Sequence, residues 1–101
     1  MRVELIYEQT CPNVDKARDR LREAFSVAGL APQWREWEVS QADTPVYARH
    51  YGSPTILVNQ QDVSASPSAD QDCCRIYSTD DGQLGVVPKL DDIVAALQRN
   101  A

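Results

Sequence analysis

Apolar positions along the chain change period several times, and each change marks an element. Val3, Leu5, Ile6 and Tyr7 form a short run broken only by Glu4, the pattern of a strand covered on both faces. Over 13–28 the apolar residues Val14, Ala17, Leu21, Ala24, Phe25 and Ala28 fall three or four apart, which predicts a helix with Arg18, Arg20, Arg22 and Glu23 outward. Gly29 and Pro32 end it. Residues 33–39 alternate, Trp34, Glu36 and Glu38 against Arg35, Trp37 and Val39, so a strand is expected with Trp37 and Val39 inward and the other face partly exposed. Val46, Tyr47, Ala48 and Tyr51 predict a short second helix over 43–51, stopped by Gly52. The run Ile56-Leu57-Val58 behind Pro54 reads as a strand, 59–61 as a turn and 62–65 as the returning strand. Loop composition follows over 66–72, then a short element of unassigned type at 73–77 and a polar loop over 78–85. Leu90, Ile93, Val94 and Leu97 predict a closing helix over 89–99, with Asp91 and Asp92 in its first turn.

The chain of 101 residues has the size of one domain, read here as 1–101 without a linker. Its net charge of −5 argues against non-specific binding to nucleic acid or to an anionic membrane surface. No apolar run approaches the roughly 18 residues of a membrane span, and the first ten residues lack a signal-peptide core. A soluble, cytoplasmic protein is expected. There, three cysteines, an odd number, suggest chemistry rather than a disulfide framework.

Candidate chemistry starts at Cys11, where strand pattern gives way to helix pattern. The unpaired N–H groups at a helix start, with the helix dipole, favour a thiolate beside them. Pro12 is expected at the first helical position, where a missing N–H costs nothing. The adjacent pair Cys73-Cys74 has no ligand spacing of its own. With the 62–65 strand returning toward Cys11, the segment carrying the pair starts on the same side and has the length to reach over it; the rival register makes 73–78 the fourth strand and takes the pair to the far end.

Cys11-Pro12, Ser53-Pro54 and the hairpin at Ile56-Leu57-Val58-Asn59, in the order strand, helix, strand, helix, strand, strand, helix, resemble the thioredoxin fold in its glutaredoxin-like form. The resemblance covers nearly the whole chain and implies an α/β domain with a four-stranded mixed sheet, three flanking helices and an insertion before the last. It also implies a cis Ser53-Pro54 bond facing a reactive Cys11, with Pro12, Ser53 and Pro54 contacting an extended thiol substrate. Two positions depart from the family. Val14 stands where the resolving cysteine of Cys-Pro-x-Cys is placed, and Ser64-Ala65 replaces the glycine pair that receives glutathione, which argues against a glutathione site. The region 52–55 with 73–77 also resembles small bacterial thioredoxin-like proteins, some tied to mercury resistance.

Three functional readings remain open. In the first, Cys11 exchanges disulfides with a thiol or disulfide substrate or a protein partner, without cofactor, and Cys73 or Cys74 serves as resolving thiol. In the second, Cys11, Cys73 and Cys74 bind a thiophilic metal ion such as mercury, zinc or copper. In the third, the fold is a scaffold without catalysis. His50 reads as a solvated side chain, Trp34 and Trp37 as strand packing, and Arg49 and Arg75 as surface cations.

Overall fold

The computed structural model describes residues 1–64, 77–78 and 84–101. Strand β1 (Val3–Tyr7) leads to helix α1 (Val14–Ala28), then β2 (Arg35–Glu38), a five-residue 3-10 helix (Val46–His50), β3 (Thr55–Val58) and β4 (Gln61–Asp62). A short pair, β5 (Tyr77–Ser78) and β6 (Leu84–Gly85), precedes helix α2 (Leu90–Asn100). The main sheet has the order β2-β1-β3-β4, with β1 and β2 parallel and the other two pairings antiparallel. The chain is thus an α/β fold built on a four-stranded mixed sheet. No described helix is long and apolar enough to cross a membrane.

Alternation along β1 sorts the core into two layers. Val3 and Leu5 face the helices and join Ile56, Val58, Leu21, Phe25, Ile93 and Leu97 in the main core. Ile6 faces the other way and packs with Trp37, Leu57 and Ala48 of the 3-10 helix. Glu4 shares that second face and is fully buried. Its Oε2 accepts from Trp37 Nε1 at 2.7 Å and from the Tyr47 hydroxyl, with the Arg2 guanidinium 3.6 Å away. Oε1 has no hydrogen-bond partner among the described residues. This pairing is how a strand buried on both sides accommodates a carboxylate.

Helix α1 stops where expected. Gly29 adopts φ 74°, its N–H donates to Ser26 at 3.1 Å, and Leu30 N–H closes back on Phe25 at 2.9 Å. Asn59 and Gln60, at φ 51° and 65°, turn β3 into β4 as a two-residue reversal with both residues left-handed.

Four expectations need correction. The predicted helix over 43–51 is only the 3-10 helix, so two α-helices flank the sheet, not three. Pro45 lies just before it with an extended ψ of 151°, and Thr44, which precedes that proline, spends its hydroxyl on the Glu38 carbonyl. The second correction concerns the partly exposed face of β2: Glu36, gripped by Arg18, and the preceding Trp34, stacked on Phe25 with centroids 6.1 Å apart, are half-buried as expected, but Glu38 is buried. The third is that the polar loop over 78–85 begins and ends in the β5-β6 ladder, Tyr77 opposite Gly85 and Ser78 opposite Leu84. The fourth strand of the main sheet lies in the short hairpin, but it is Gln61–Asp62 rather than 62–65, because the left-handed pair Asn59 and Gln60 closes the turn in two residues and Gln61 already pairs with Val58.

Candidate functional site

Beyond Tyr7 the chain leaves the sheet through residues 8–13, and this loop carries Cys11. Three backbone donors fix it. Glu8 N–H donates to Ser53 Oγ at 2.9 Å, Gln9 N–H to Glu38 Oε1 at 3.3 Å, and Cys11 N–H back to the Glu8 carbonyl at 2.9 Å. The loop is therefore tied to the turn before β3 on one side and to the end of β2 on the other. The helix starts at Val14, and Asn13 caps it without a side-chain hydrogen bond. Pro12 is exposed and stands with Asn13 in a turn just before the helix rather than at its first position; it follows the 8–11 turn that the Cys11–Glu8 hydrogen bond closes. Cys11 is 7% exposed. It lines a cleft of about 270 Å³ together with Tyr7, Gln9, Pro12, Asp15 and Arg18.

Ser53-Pro54 is a cis peptide bond. Ser53 is 3% exposed, and its hydroxyl, the acceptor for Glu8, is an internal brace. Pro54 is fully buried and its carbonyl accepts the hydroxyl of Tyr77, itself 1% exposed. Thr55 Oγ1 donates to the Gly52 carbonyl at 2.6 Å. Cys11 is thereby linked through the Glu8 backbone and two hydrogen bonds to Ser53, the residue before Pro54, to which Tyr77 is bonded.

Charge around the cleft is paired. Arg18 holds Glu36 with two parallel bonds, Nε to Oε2 at 2.9 Å and NH2 to Oε1 at 2.8 Å, and reaches Asp15 with NH1 at 2.8 Å. Its guanidinium carbon lies 5.5 Å from the Tyr7 ring centroid. The Arg18 hydrogen bonds hold the Glu36 carboxyl below the usual carboxylate range, against the opposing effect of burial. At Glu38 burial pushes the carboxyl up, but donation from Ser40 and from Gln9 N–H outweighs it and the net displacement is downward.

Glu38, Arg18 and Tyr77 escape a reading of the sequence alone. Alternation assigns Glu38 to a partly exposed face, but it is buried, with donors brought to it from Gln9 and Ser40. For Arg18 the helical stripe gives the outward direction but not the strand carboxylate waiting there. Tyr77 carries no local signal.

Cys73, Cys74 and Arg75 lie outside the described residues. Among the described residues no group of three or more His, Cys, Asp or Glu side chains is arranged to hold a metal ion. His50 is exposed, and the Arg49 guanidinium is engaged by the carbonyls of Thr44, Gln41 and Ala42. Comparison of the chain with protein-family models, with curated proteins and with solved structures finds no match.

Proposed function

We propose that the chain is a thioredoxin-like thiol-disulfide exchange protein of the glutaredoxin type, with Cys11 as its attacking thiol. The observation that carries this reading is the seating of Cys11 in an open cleft on a loop hydrogen-bonded to Ser53, the residue before Pro54. The sheet order β2-β1-β3-β4, with both α-helices on one face, supports the same reading.

In the proposed reaction the Cys11 thiolate attacks one sulfur of a substrate disulfide. The substrate S–S bond breaks, a mixed disulfide forms at Cys11, and the second substrate sulfur leaves as a thiolate that solvent protonates. With Val14 where Cys-Pro-x-Cys would place a resolving cysteine, release of the substrate needs a thiol from elsewhere. Cys73 or Cys74 is the internal candidate: its thiolate attacks the Cys11 sulfur, expels the remaining substrate thiol, and leaves a disulfide that an external thiol reduces. Tyr77, bonded to Pro54, stands three residues after Cys74, a span of at most about 10 Å.

Mild oxidation followed by peptide mapping tests the proposal. A Cys11–Cys73 or Cys11–Cys74 crosslink is expected; a Cys73–Cys74 product alone, or none within the chain, counts against internal resolution. Failure of Cys11 to exchange with any disulfide removes the reading. Uptake of one thiophilic metal ion per chain, lost when any of the three cysteines becomes serine, replaces it with metal binding.

A further inference from the structure

We infer that Tyr77 is a positioning residue for Cys11, acting through the turn at Ser53-Pro54. This rests on the thiol-exchange reading for its functional meaning, but its geometry stands on separate observations. Tyr77 and Cys11 belong to distant parts of the sequence, and both are almost wholly buried. Between them runs one continuous path. The Tyr77 hydroxyl donates to the Pro54 carbonyl, Ser53 Oγ accepts from Glu8 N–H at 2.9 Å, and the Glu8 carbonyl accepts from Cys11 N–H at 2.9 Å.

Each bond constrains a segment that regular structure does not hold. Residues 8–13 lie between β1 and α1, and residues 51–54 between the 3-10 helix and β3. Neither segment has the sheet ladder to fix it, so its position depends on these side-chain and turn hydrogen bonds. Tyr77 anchors the second segment at Pro54, and the second, together with Glu38 through Gln9 N–H, anchors the first. Cys11 is thereby held at the wall of the cleft, with 7% of the residue exposed. Loss of the Tyr77 hydroxyl releases Pro54, and through Ser53 the loop that shields Cys11.

Global loosening of the fold also exposes a thiol, so the test must separate local from global opening. The full chain with Cys73→Ser and Cys74→Ser reports on Cys11 alone, and iodoacetamide is the probe, followed by mass spectrometry in increasing urea below the unfolding transition. Removing one such hydrogen bond is expected to raise the labelling rate about two- to tenfold in native buffer. The gain is independent of urea, because a small local opening exposes little surface. Tyr77→Phe and Ser53→Ala should each give it, and the double variant should fall short of the product of the two, since both cut one path.

An unchanged rate in Tyr77→Phe, a rise that follows urea with the slope of global unfolding, or multiplicative effects in the double variant would each overturn the inference. If Tyr77→Phe does not fold, Tyr77→Trp and Ser53→Ala in the same assay decide it: both must raise the urea-independent rate. The exchange reading fails separately, when alkylatable Cys11 in the unaltered path does not react with hydroxyethyl disulfide.

Discussion

Replacing Tyr47 by phenylalanine takes one hydroxyl away from the Glu4 carboxylate and leaves the ring packed on the second face of the sheet. Glu4 is fully buried, and among the described residues its Oε2 is met by Trp37, by Tyr47 and by Arg2 at 3.6 Å. Among the described residues Oε1 has no partner to take up the loss. A hydrogen bond to a charged group contributes about 1.5–3 kcal/mol, so Tyr47→Phe should cost about 2 kcal/mol and lower Tm by roughly 10 °C for a domain of this size. Urea titration followed by tryptophan fluorescence at neutral pH measures this, with the slope unchanged because the same surface is exposed on unfolding.

The same pair makes an alkaline prediction. Burial, and next the Glu4 carboxylate, hold the Tyr47 phenol above its ordinary value of 10.0. The folded chain keeps this proton more tightly than the unfolded chain does. The contribution to stability is therefore complete below pH 10 and is lost as pH rises from there through the folded value. Phenylalanine has no such proton, so the stability gap between the two proteins should narrow above about pH 10. A cost below about 0.5 kcal/mol, the range of an ordinary surface change, or a gap that stays constant into strong alkali, would refute the assignment of Tyr47 as the partner of a buried charge.

Two further substitutions test other parts of the structure. Gly29→Ala should destabilise by about 1 kcal/mol in thermal or urea unfolding through backbone strain alone, since an added methyl at φ 74° meets no atom within 4 Å. Glu36→Gln should weaken the protein at neutral pH and flatten its acid limb. The carboxyl is held low by Arg18, so its stabilisation is present above about pH 4.5 and lost as pH falls through the folded value; thermal unfolding from pH 7 to 3 should show the two proteins converging.

Much of the architecture was legible because it depends on local period. The stripe Val14, Ala17, Leu21, Ala24 and Phe25 is the buried face of α1, and Gly29 terminates it as its backbone freedom predicts. The 43–51 segment misled because its apolar spacing satisfies one helical turn, while Pro45 withholds the first turn that would make it longer. Glu4 and Glu38 were illegible for a different reason. A carboxylate in a strand reads as outward-facing, and its burial depends on donors brought from Trp37 and Tyr47, or from Gln9 and Ser40, by tertiary folding. In the site, a cysteine between strand and helix and a proline before a strand were both visible. That Glu8 and Ser53 bind the two loops together was not, since a serine hydroxyl paired with a backbone N–H leaves no pattern in composition or spacing.

The turn at Asn59 has a consequence for how the domain can be used. Asn59 Oδ1 accepts from Arg2 N–H at 2.9 Å, Asn59 N–H donates to the Arg2 carbonyl at 2.7 Å, and Asn59 Nδ2 donates to Asn100 Oδ1 at 2.8 Å. One side chain therefore gathers residues near both ends of the 101-residue sequence, at the edge of the sheet remote from Cys11. Geometry of this kind suits insertion into a surface loop of a host protein, where entry and exit points must lie close together. It also suits rejoining the ends with a short linker while new ends are opened elsewhere. In either arrangement the junction lies at the Val3 end of β1, opposite the Tyr7 end from which the loop carrying Cys11 leaves the sheet.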